Sequence, residues 1–151
     1  MTDDWVDFLF ALVDAGARFL VVGAHALAVY GVPRGTQDID IWIDALPANT
    51  DAVIAALRTF GAPLAAIQIA PEDLQRPNTV IQLGVAPNRI DLLTSISGVA
   101  DFGLAWNDRV EYEVRGRPVP FVGRAALVAN KRATGRRKDL GDLEALGEVV
   151  D

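Results

Sequence analysis

Apolar and polar residues are arranged along the first half of the chain in patterns that predict helices and strands in turn. Trp5, Leu9, Leu12 and Val13 recur at helical spacing in a segment that begins with acids, so Asp3 to Ala15 is predicted to be an amphipathic helix. Beyond it, short apolar runs and glycine or proline boundaries predict four more elements. These are a strand at Arg18 to Val22, a helix at about His25 to Tyr30, a strand at Asp38 to Asp44, and a helix to about Phe60 capped by Asn49 or Thr50.

The second half of the chain predicts hairpins followed by two helices. Thr79 to Val85 and Arg89 to Ser95 read as strands joined by the turn residues Ala86, Pro87 and Asn88, which is typical of a hairpin. The remaining elements are a strand pair, Arg109 to Val114 and Val119 to Val122, and two helices, Arg124 to Ala133 and Lys138 to Val149. The expected class is therefore α+β, with helices packed on a mixed, mostly antiparallel sheet, in a single domain over residues 1–151.

Two acids stand close together on the alternating strand. Side chains alternate across a strand, so Asp38 and Asp40 share one face, roughly 7 Å apart at Cα. Ile39, Ile41 and Ile43 then fall on the opposite, buried face. Two neighbouring carboxylates repel each other, which favours a cation between them, and a divalent metal is the natural candidate. The alternative is an exposed strand face on which Asp38 is only a turn or strand-entry residue.

Asp91 is the best-placed candidate for a third carboxylate. Its neighbours Ile90 and Leu92 are expected to be buried, which turns Asp91 to the other face of its strand, where an isolated charge is costly. If this strand lies beside that of the acid pair, the three carboxylates would hold two magnesium ions roughly 4 Å apart. An ion pair from Arg89 or Arg34 would also satisfy Asp91.

Small and polar residues before the acid pair suit an anion. Gly23 and Ala24 precede a helix, so they can offer close backbone approach and N–H groups at a positive helix end, which predicts a phosphate seat. Arg34 and Thr36 come just before the acids. An arginine there can pair with triphosphate oxygens or with the acids themselves, and both possibilities stay open.

The composition fits one soluble globular domain of 151 residues, of which 51% are hydrophobic and 23% are charged. The absence of cysteine excludes disulfides and thiolate metal sites, and the single histidine, His25, excludes a multi-histidine zinc site. No signal peptide or membrane-spanning run is recognisable, so we expect a cytoplasmic protein without a membrane partner.

The charges are unevenly placed along the chain. The net charge is −6, which argues against a large polyanionic partner. Arg124 to Lys138 nevertheless contains six basic residues and no acid, whereas Asp139 to Asp151 contains five acids and no base. Two interpretations stay open: helix faces that pair with each other, or an anion-binding surface.

The motifs occur in an order that resembles a known family. A strand leads to a small-residue turn, a short helix, the segment GVPRGTQDID at residues 31–40, and a distant strand aspartate. This order resembles the nucleotidyltransferase superfamily of the DNA polymerase beta type. The segment itself is similar to small bacterial nucleotidyltransferases grouped with abortive-infection and toxin–antitoxin systems. The segment NKRATGRRKDLGD at residues 130–142 resembles the closing part of the same group.

The resemblance implies a nucleotidyltransferase-like fold, Mg²⁺, a nucleoside triphosphate with ATP favoured, and transfer of a nucleoside monophosphate to a hydroxyl acceptor. The acceptor class is a protein, an RNA or a small molecule, in a toxin–antitoxin or phage-defence setting. Asp38 and Asp40 would bind metal, and Asp91 would be the third ligand and help to deprotonate the acceptor. Gly23 and the backbone after it would hold the terminal phosphates. Of the chain's two lysines, Lys131 and Lys138, one would reach the nucleotide or tie the last helix to the core.

One position departs from the family pattern. The family has Gly-Gly or Gly-Ser where this chain has Gly23 and Ala24, and alanine offers neither a hydroxyl nor the closest approach. This departure motivates an alternative, a catalytically inactive nucleotide-binding or antitoxin-like partner. The acidic charge is compatible with another, an adenylyltransferase that modifies cationic antibiotics. Larger relatives carry a further helical region at the acceptor site, so we expect a homo-oligomer or a partner protein to complete it.

Overall fold

Six strands form one mixed sheet in the computed structural model, which describes residues 1–150. Three of the five strand pairings are antiparallel (β1–β2, β3–β4 and β5–β6) and two are parallel (β1–β6 and β2–β4), in the order β3-β4-β2-β1-β6-β5. The predicted α+β class and the predicted hairpin are therefore confirmed. The strands are β1 (Phe19–Val22), β2 (Asp38–Ile43), β3 (Val80–Leu83), β4 (Arg89–Leu93), β5 (Val110–Val114) and β6 (Arg117–Phe121).

Helices follow the strands closely and end where the sequence supplies a suitable residue. Gly61 ends the long third helix in the left-handed region, at φ 93°, and Gly135 does the same at φ 57° between the last two helices. The helices are α1 (Asp3–Asp14), α2 (Gly23–Val29), α3 (Pro47–Phe60), α4 (Leu64–Ile67), a 3₁₀ helix (Pro71–Gln75), α5 (Phe102–Asn107), α6 (Arg124–Thr134) and α7 (Arg137–Ala145). Within residues 1–150, none of them has the length and apolar content needed to cross a membrane.

Several predicted boundaries are wrong, and the capping of α3 is the clearest case. The helix begins at Pro47 after Leu46, so Asn49 and Thr50 lie inside its first turn and do not cap it. Asn49 is buried and bridges chain segments: its Oδ1 accepts the N–H of Arg18, and its Nδ2 donates to the carbonyl oxygens of Arg18 and Asp44. This long-range contact satisfies the side chain in place of a cap. Four further differences are that α2 begins at Gly23, β6 begins at Arg117, α7 ends at Ala145, and α4, the 3₁₀ helix and α5 were not predicted.

The alternation of β2 separates the core from the candidate site. Ile39, Ile41 and Ile43 are completely buried in the hydrophobic core, as predicted from their spacing. Helices α1 and α3 pack on each other and contribute apolar side chains to the same core. Asp38 and Asp40 therefore project from the other face of the sheet, where they are only partly covered.

Candidate functional site

Three carboxylates converge on the polar face of the sheet. Strands β2 and β4 run parallel, and their register places Asp40 directly beside Asp91. Asp38 lies two residues before Asp40 on the same face. One carboxylate oxygen from each of the three residues lies within 4.8 Å of the others. As predicted, Ile90 and Leu92 are buried on the opposite face, and the strand of Asp91 adjoins that of the acid pair.

Asp40 is the central acid of this cluster, and its surroundings oppose its ionisation. Burial is the largest cause, followed by the charges of Asp38 and Asp91, and together they raise the pKa of Asp40 from 3.8 to about 6. The Arg89 guanidinium acts in the opposite direction and only partly offsets them. A bound cation would offset the repulsion between the three carboxylates and favour the ionised form of Asp40.

The turn between β1 and α2 touches Asp40 directly. Gly23 has a φ of +69°, and a Cβ placed there would lie 2.5 Å from Oδ2 of Asp40. Glycine is thus favoured at this position for two reasons: the positive φ disfavours other residues, and a Cβ would collide with the carboxylate of Asp40. Ala24 follows it at the cleft wall, and no side chain caps the first turn of α2. The predicted phosphate seat at Gly23 and Ala24 therefore borders the acid cluster.

Asp38 is oriented by neighbouring polar groups. The hydroxyl of Thr36 donates to Asp38, 2.9 Å from its Oδ1 and 3.1 Å from its carbonyl oxygen. His25 donates from Nε2 to the same carbonyl at 3.2 Å and packs edge-on against Trp5. Burial lowers the pKa of His25, which favours the neutral ring. Thr36 and His25 thus fix the start of β2.

Arg89 bridges two of the three acids. Its Nη2 lies 2.6 Å from Oδ2 of Asp38 and 3.1 Å from Oδ2 of Asp91, and its Nε lies 3.0 Å from Oδ1 of Asp91. The sequence allowed an ion pair between Arg89 and Asp91, but not the additional contact with Asp38. That contact follows from the strand register, in which Asp38 and Arg89 are direct partners.

Basic residues also line the cleft that contains the acids, and most of their charges are already paired. Arg34 binds Asp142 of α7, a partner that neither of its sequence interpretations included. Lys131 is buried, with Nζ 3.3 Å from Asp139 and 3.1 Å from Asp142. Of the two roles considered for Lys131, the link to the last helix is the one these contacts support. Arg136 also pairs with Asp139, at 2.7 Å.

The three acids and these basic residues line a cleft of about 440 Å³. Among the residues that line it, Ser97 and Asn130 were not singled out from the sequence, whereas Lys138 is one of the two lysines that the resemblance linked to the nucleotide. Asn130 donates to the carbonyl oxygen of Ser97 at 2.9 Å, which holds the loop after β4 against α6. Lys138 is exposed and, among the described residues, makes no ion pair. It is the cation in this cleft that is free to meet a ligand.

Two arginines of the basic stretch, Arg124 and Arg132, pair with the acidic tail. Arg124 donates to the carbonyl oxygen of Leu146 and lies 3.8 Å from Glu148, and Arg132 lies 3.5 Å from the same carboxylate. Of the two interpretations of the basic stretch, these contacts favour pairing between the helix and the tail and not a continuous anion-binding surface. Within residues 1–150, Arg137 and Lys138 are the basic residues of the stretch that make no ion pair, and of these two Lys138 lines the cleft.

The donor set fits a divalent cation. Carboxylate oxygens are the ligands that Mg²⁺ prefers, and three of them lie within 4.8 Å of one another. The Arg89 guanidinium already contacts two of these acids, Asp38 and Asp91, as an internal cation. Sequence reasoning missed Asp142 and the second contact of Arg89, because both depend on which distant segments meet.

Replacing Gly23 with alanine tests the contact between the turn and the acid. Gly31→Ala is a matched control, because Gly31 also has a positive φ (84°) but a Cβ there would meet nothing within 4 Å. We expect Gly31→Ala to lower the free energy of unfolding by about 1 to 2 kcal/mol, and Gly23→Ala by about 2 kcal/mol more, through collision with Asp40. Urea unfolding measures both. Equal losses in the two variants would contradict the contact.

Comparisons with protein-family models and with curated proteins return no match to this chain. The nucleotidyltransferase resemblance therefore stays a prediction from the motifs, and the chemistry of the cleft has to support any function.

Proposed function

We propose that this protein is a magnesium-dependent nucleotidyltransferase. It transfers a nucleoside monophosphate from a nucleoside triphosphate, with ATP favoured, to a hydroxyl group of a protein, an RNA or a small molecule. The observation that carries the proposal is the convergence of Asp38, Asp40 and Asp91 in a cleft that basic side chains also line. A polyphosphate bound through divalent cations needs both kinds of charge.

The three acids hold and orient the reacting groups in this proposal. Asp38, Asp40 and Asp91 would bind two Mg²⁺ ions, which when bound neutralise phosphate charge and favour ionisation of the acceptor hydroxyl. Asp91 accepts the proton of that hydroxyl. The acceptor oxygen then bonds to the α-phosphorus, the bond from that phosphorus to the bridging oxygen breaks, and pyrophosphate leaves.

The phosphates are placed by groups along the cleft wall. Backbone N–H groups at Gly23 and Ala24 approach the terminal phosphates, since no Cβ stands at the first position. Lys138, which makes no ion pair within residues 1–150, supplies a positive charge at the cleft. Thr36 acts indirectly, by holding Asp38 in its orientation.

Transfer of labelled nucleotide tests the proposal. Purified protein is incubated with each α-labelled nucleoside triphosphate, Mg²⁺ and a cell lysate, which is then separated into protein, RNA and small-molecule fractions. We expect label in one fraction, lost on removal of Mg²⁺. Asp91→Asn should reduce the transfer at least about 100-fold, because a cation site contributes several kcal/mol of charge stabilisation.

Asp51→Asn is the matched control. Asp51 is an exposed acid on α3, outside the cleft, so this variant should transfer label as the unchanged protein does. Transfer that is equal in Asp91→Asn and in the unchanged protein would exclude the proposed role of the acid cluster. No transfer with any nucleotide in any fraction would remove the enzymatic proposal.

A second candidate function is favoured by the position of Arg89. A guanidinium on Asp38 and Asp91 can replace the cation permanently, which would leave a nucleotide-binding or antitoxin-like partner without turnover. Such a protein would bind nucleotide equally well with Mg²⁺ and with a chelator. The proposed enzyme requires the cation, so calorimetric titration of ATP under the two conditions distinguishes the candidates.

A further inference from the structure

Arg89 contacts two of the three acids that a bound cation would contact. Its guanidinium holds Asp91 through two nitrogens and reaches Asp38 through one of them, at 2.6 to 3.1 Å. Such contacts between a planar guanidinium and carboxylates are strong and directional. In the absence of metal they compensate the charge of the acids, which would otherwise repel each other across the two strands.

The guanidinium is more exposed than the two acids it binds. The Arg89 side chain is 35% exposed, against 28% for Asp38 and 8% for Asp91, which sits in the middle of its strand. Arg89 begins β4, at the end of the strand that borders the cleft. Its long side chain can therefore rotate into the cleft while the carboxylates keep their places.

A divalent cation and the guanidinium compete for the same oxygens. A cation held by Asp38 and Asp91 has to displace Arg89 from both carboxylates. The displaced arginine then carries an unpaired charge at the cleft wall, close to the predicted phosphate seat. Its fork of N–H donors matches phosphate oxygens as well as it matches carboxylate oxygens.

We propose that Arg89 is an internal counter-ion that couples the binding of cation and nucleotide. It occupies the acid cluster in the free protein, is displaced by the divalent cation, and then binds a phosphate group of the nucleoside triphosphate. The cation alone binds weakly because it must break the arginine contacts, and the contact of the displaced arginine with phosphate more than regains that loss. This inference rests on the proposed function, because it needs both a cation and a polyphosphate in the cleft.

Arg89→Gln should change two affinities in opposite directions. We expect Mn²⁺ alone to bind about tenfold more tightly than in the unchanged protein, because no arginine competes. We expect the Mg²⁺ complex of α,β-methylene ATP, which cannot be cleaved at the α-phosphorus, to bind about tenfold more weakly. Paramagnetic resonance of free Mn²⁺ measures the first affinity, and calorimetry measures the second.

Two further variants separate charge from general damage. Arg89→Lys keeps a positive charge but lacks the fork, so it should still compete with Mn²⁺ and lose part of the nucleotide affinity. Arg117→Gln is the matched control: Arg117 is 40% exposed and pairs with Asp14 at 2.6 Å outside the cleft. It should leave both affinities unchanged. If Arg89→Gln fails to fold, Arg89→Lys carries the test through its weaker nucleotide binding with unchanged Mn²⁺ binding.

The outcomes separate this inference from the proposed function. If Mn²⁺ binds the unchanged protein and Arg89→Gln binds it no more tightly, the coupling role is wrong and the proposed function stands. If Arg89→Gln weakens both affinities, the arginine only supports the structure and the inference is again overturned. If neither protein binds Mn²⁺, with or without nucleotide, it is the proposed function that fails.

Discussion

Replacing Asp40 with asparagine is expected to stabilise the metal-free protein while removing its ability to bind divalent cations. Burial and the charges of Asp38 and Asp91 raise the pKa of Asp40 from 3.8 to about 6. Asparagine keeps the shape of the side chain and cannot ionise. At pH 8 with a chelator present, we expect the variant to exceed the unchanged protein by about 3 kcal/mol in free energy of unfolding.

The sign of the pH dependence follows from the raised pKa. Between pH 4 and pH 6 the folded protein holds a proton on Asp40 that the unfolded chain has already lost. The contribution of Asp40 to stability is therefore complete below about pH 4 and is lost as the pH rises through about 6. Asp40→Asn should remove this decline, so the two stability curves should separate as the pH rises.

Denaturant unfolding across pH 4 to 8 measures the effect, and Mg²⁺ supplies a second comparison. Added Mg²⁺ should stabilise the unchanged protein and leave Asp40→Asn unaffected, since binding to the folded state alone raises stability. Asp51→Asn should follow the unchanged protein throughout. If the metal-free Asp40→Asn variant is less stable than the unchanged protein at pH 8, the claim that ionised Asp40 destabilises the folded protein is wrong.

Replacing Asp139 with alanine is expected to be the most damaging single change in the C-terminal helices. Asp139 is completely buried and receives hydrogen bonds from Lys131, from the Arg136 side chain and from the Arg136 backbone N–H at the start of α7. With alanine at position 139, the buried ammonium of Lys131 would keep only one of its two carboxylate partners, Asp142. Breaking a buried ion pair in this way costs about 3 to 5 kcal/mol.

Asp14→Ala is the matched control for this change. Asp14 also pairs with an arginine, Arg117, at 2.6 Å, but its side chain is 67% exposed, so its loss should cost about 1 kcal/mol or less. Thermal unfolding compares the two variants. A similar small loss in both would show that the buried network around Lys131 contributes no more to stability than a surface pair.

Acid should weaken the same network. Burial alone would raise the pKa of Asp139, but hydrogen bonds from Arg136 and Lys131 outweigh it and hold that pKa well below its usual range. A carboxyl whose pKa is lowered by folding stabilises the protein at pH values above the ordinary aspartate pKa. This stabilisation is lost as the pH falls through the pKa of the carboxyl in the folded protein. A rise in pH therefore reduces the contribution of Asp40 to stability, whereas a fall in pH reduces the contribution of Asp139.

Local patterns were sufficient to predict the strands and the faces of the acid cluster. The alternation in β2 places three isoleucines in the core and turns Asp38 and Asp40 the other way, because a strand has a period of two. The apolar neighbours of Asp91 gave its face by the same rule. The three acids meet only if β2 pairs with β4. The sequence did not predict that pairing, so the convergence of the acids was stated only on the condition that the two strands are neighbours.

The ion pairs across the cleft could not be predicted, because a charge pattern does not specify its partner. Arg34 meets Asp142 only because α7 returns to the loop before β2, 108 positions away in the chain. Asn49 shows the same difficulty: its position favours a helix cap, but a long-range contact with Arg18 prevails. The short helix α5 lacks the length at which periodicity becomes distinguishable.

The parallel pairing of β2 with β4 has a consequence for how the chain folds. Helices α3 and α4, the 3₁₀ helix and β3 all lie between these strands, so their pairing closes a long loop and is expected to form late. The acids thus repel one another mainly after the folding barrier is crossed. Divalent ions, which recognise only the finished arrangement, should slow unfolding and leave the rate of folding nearly unchanged.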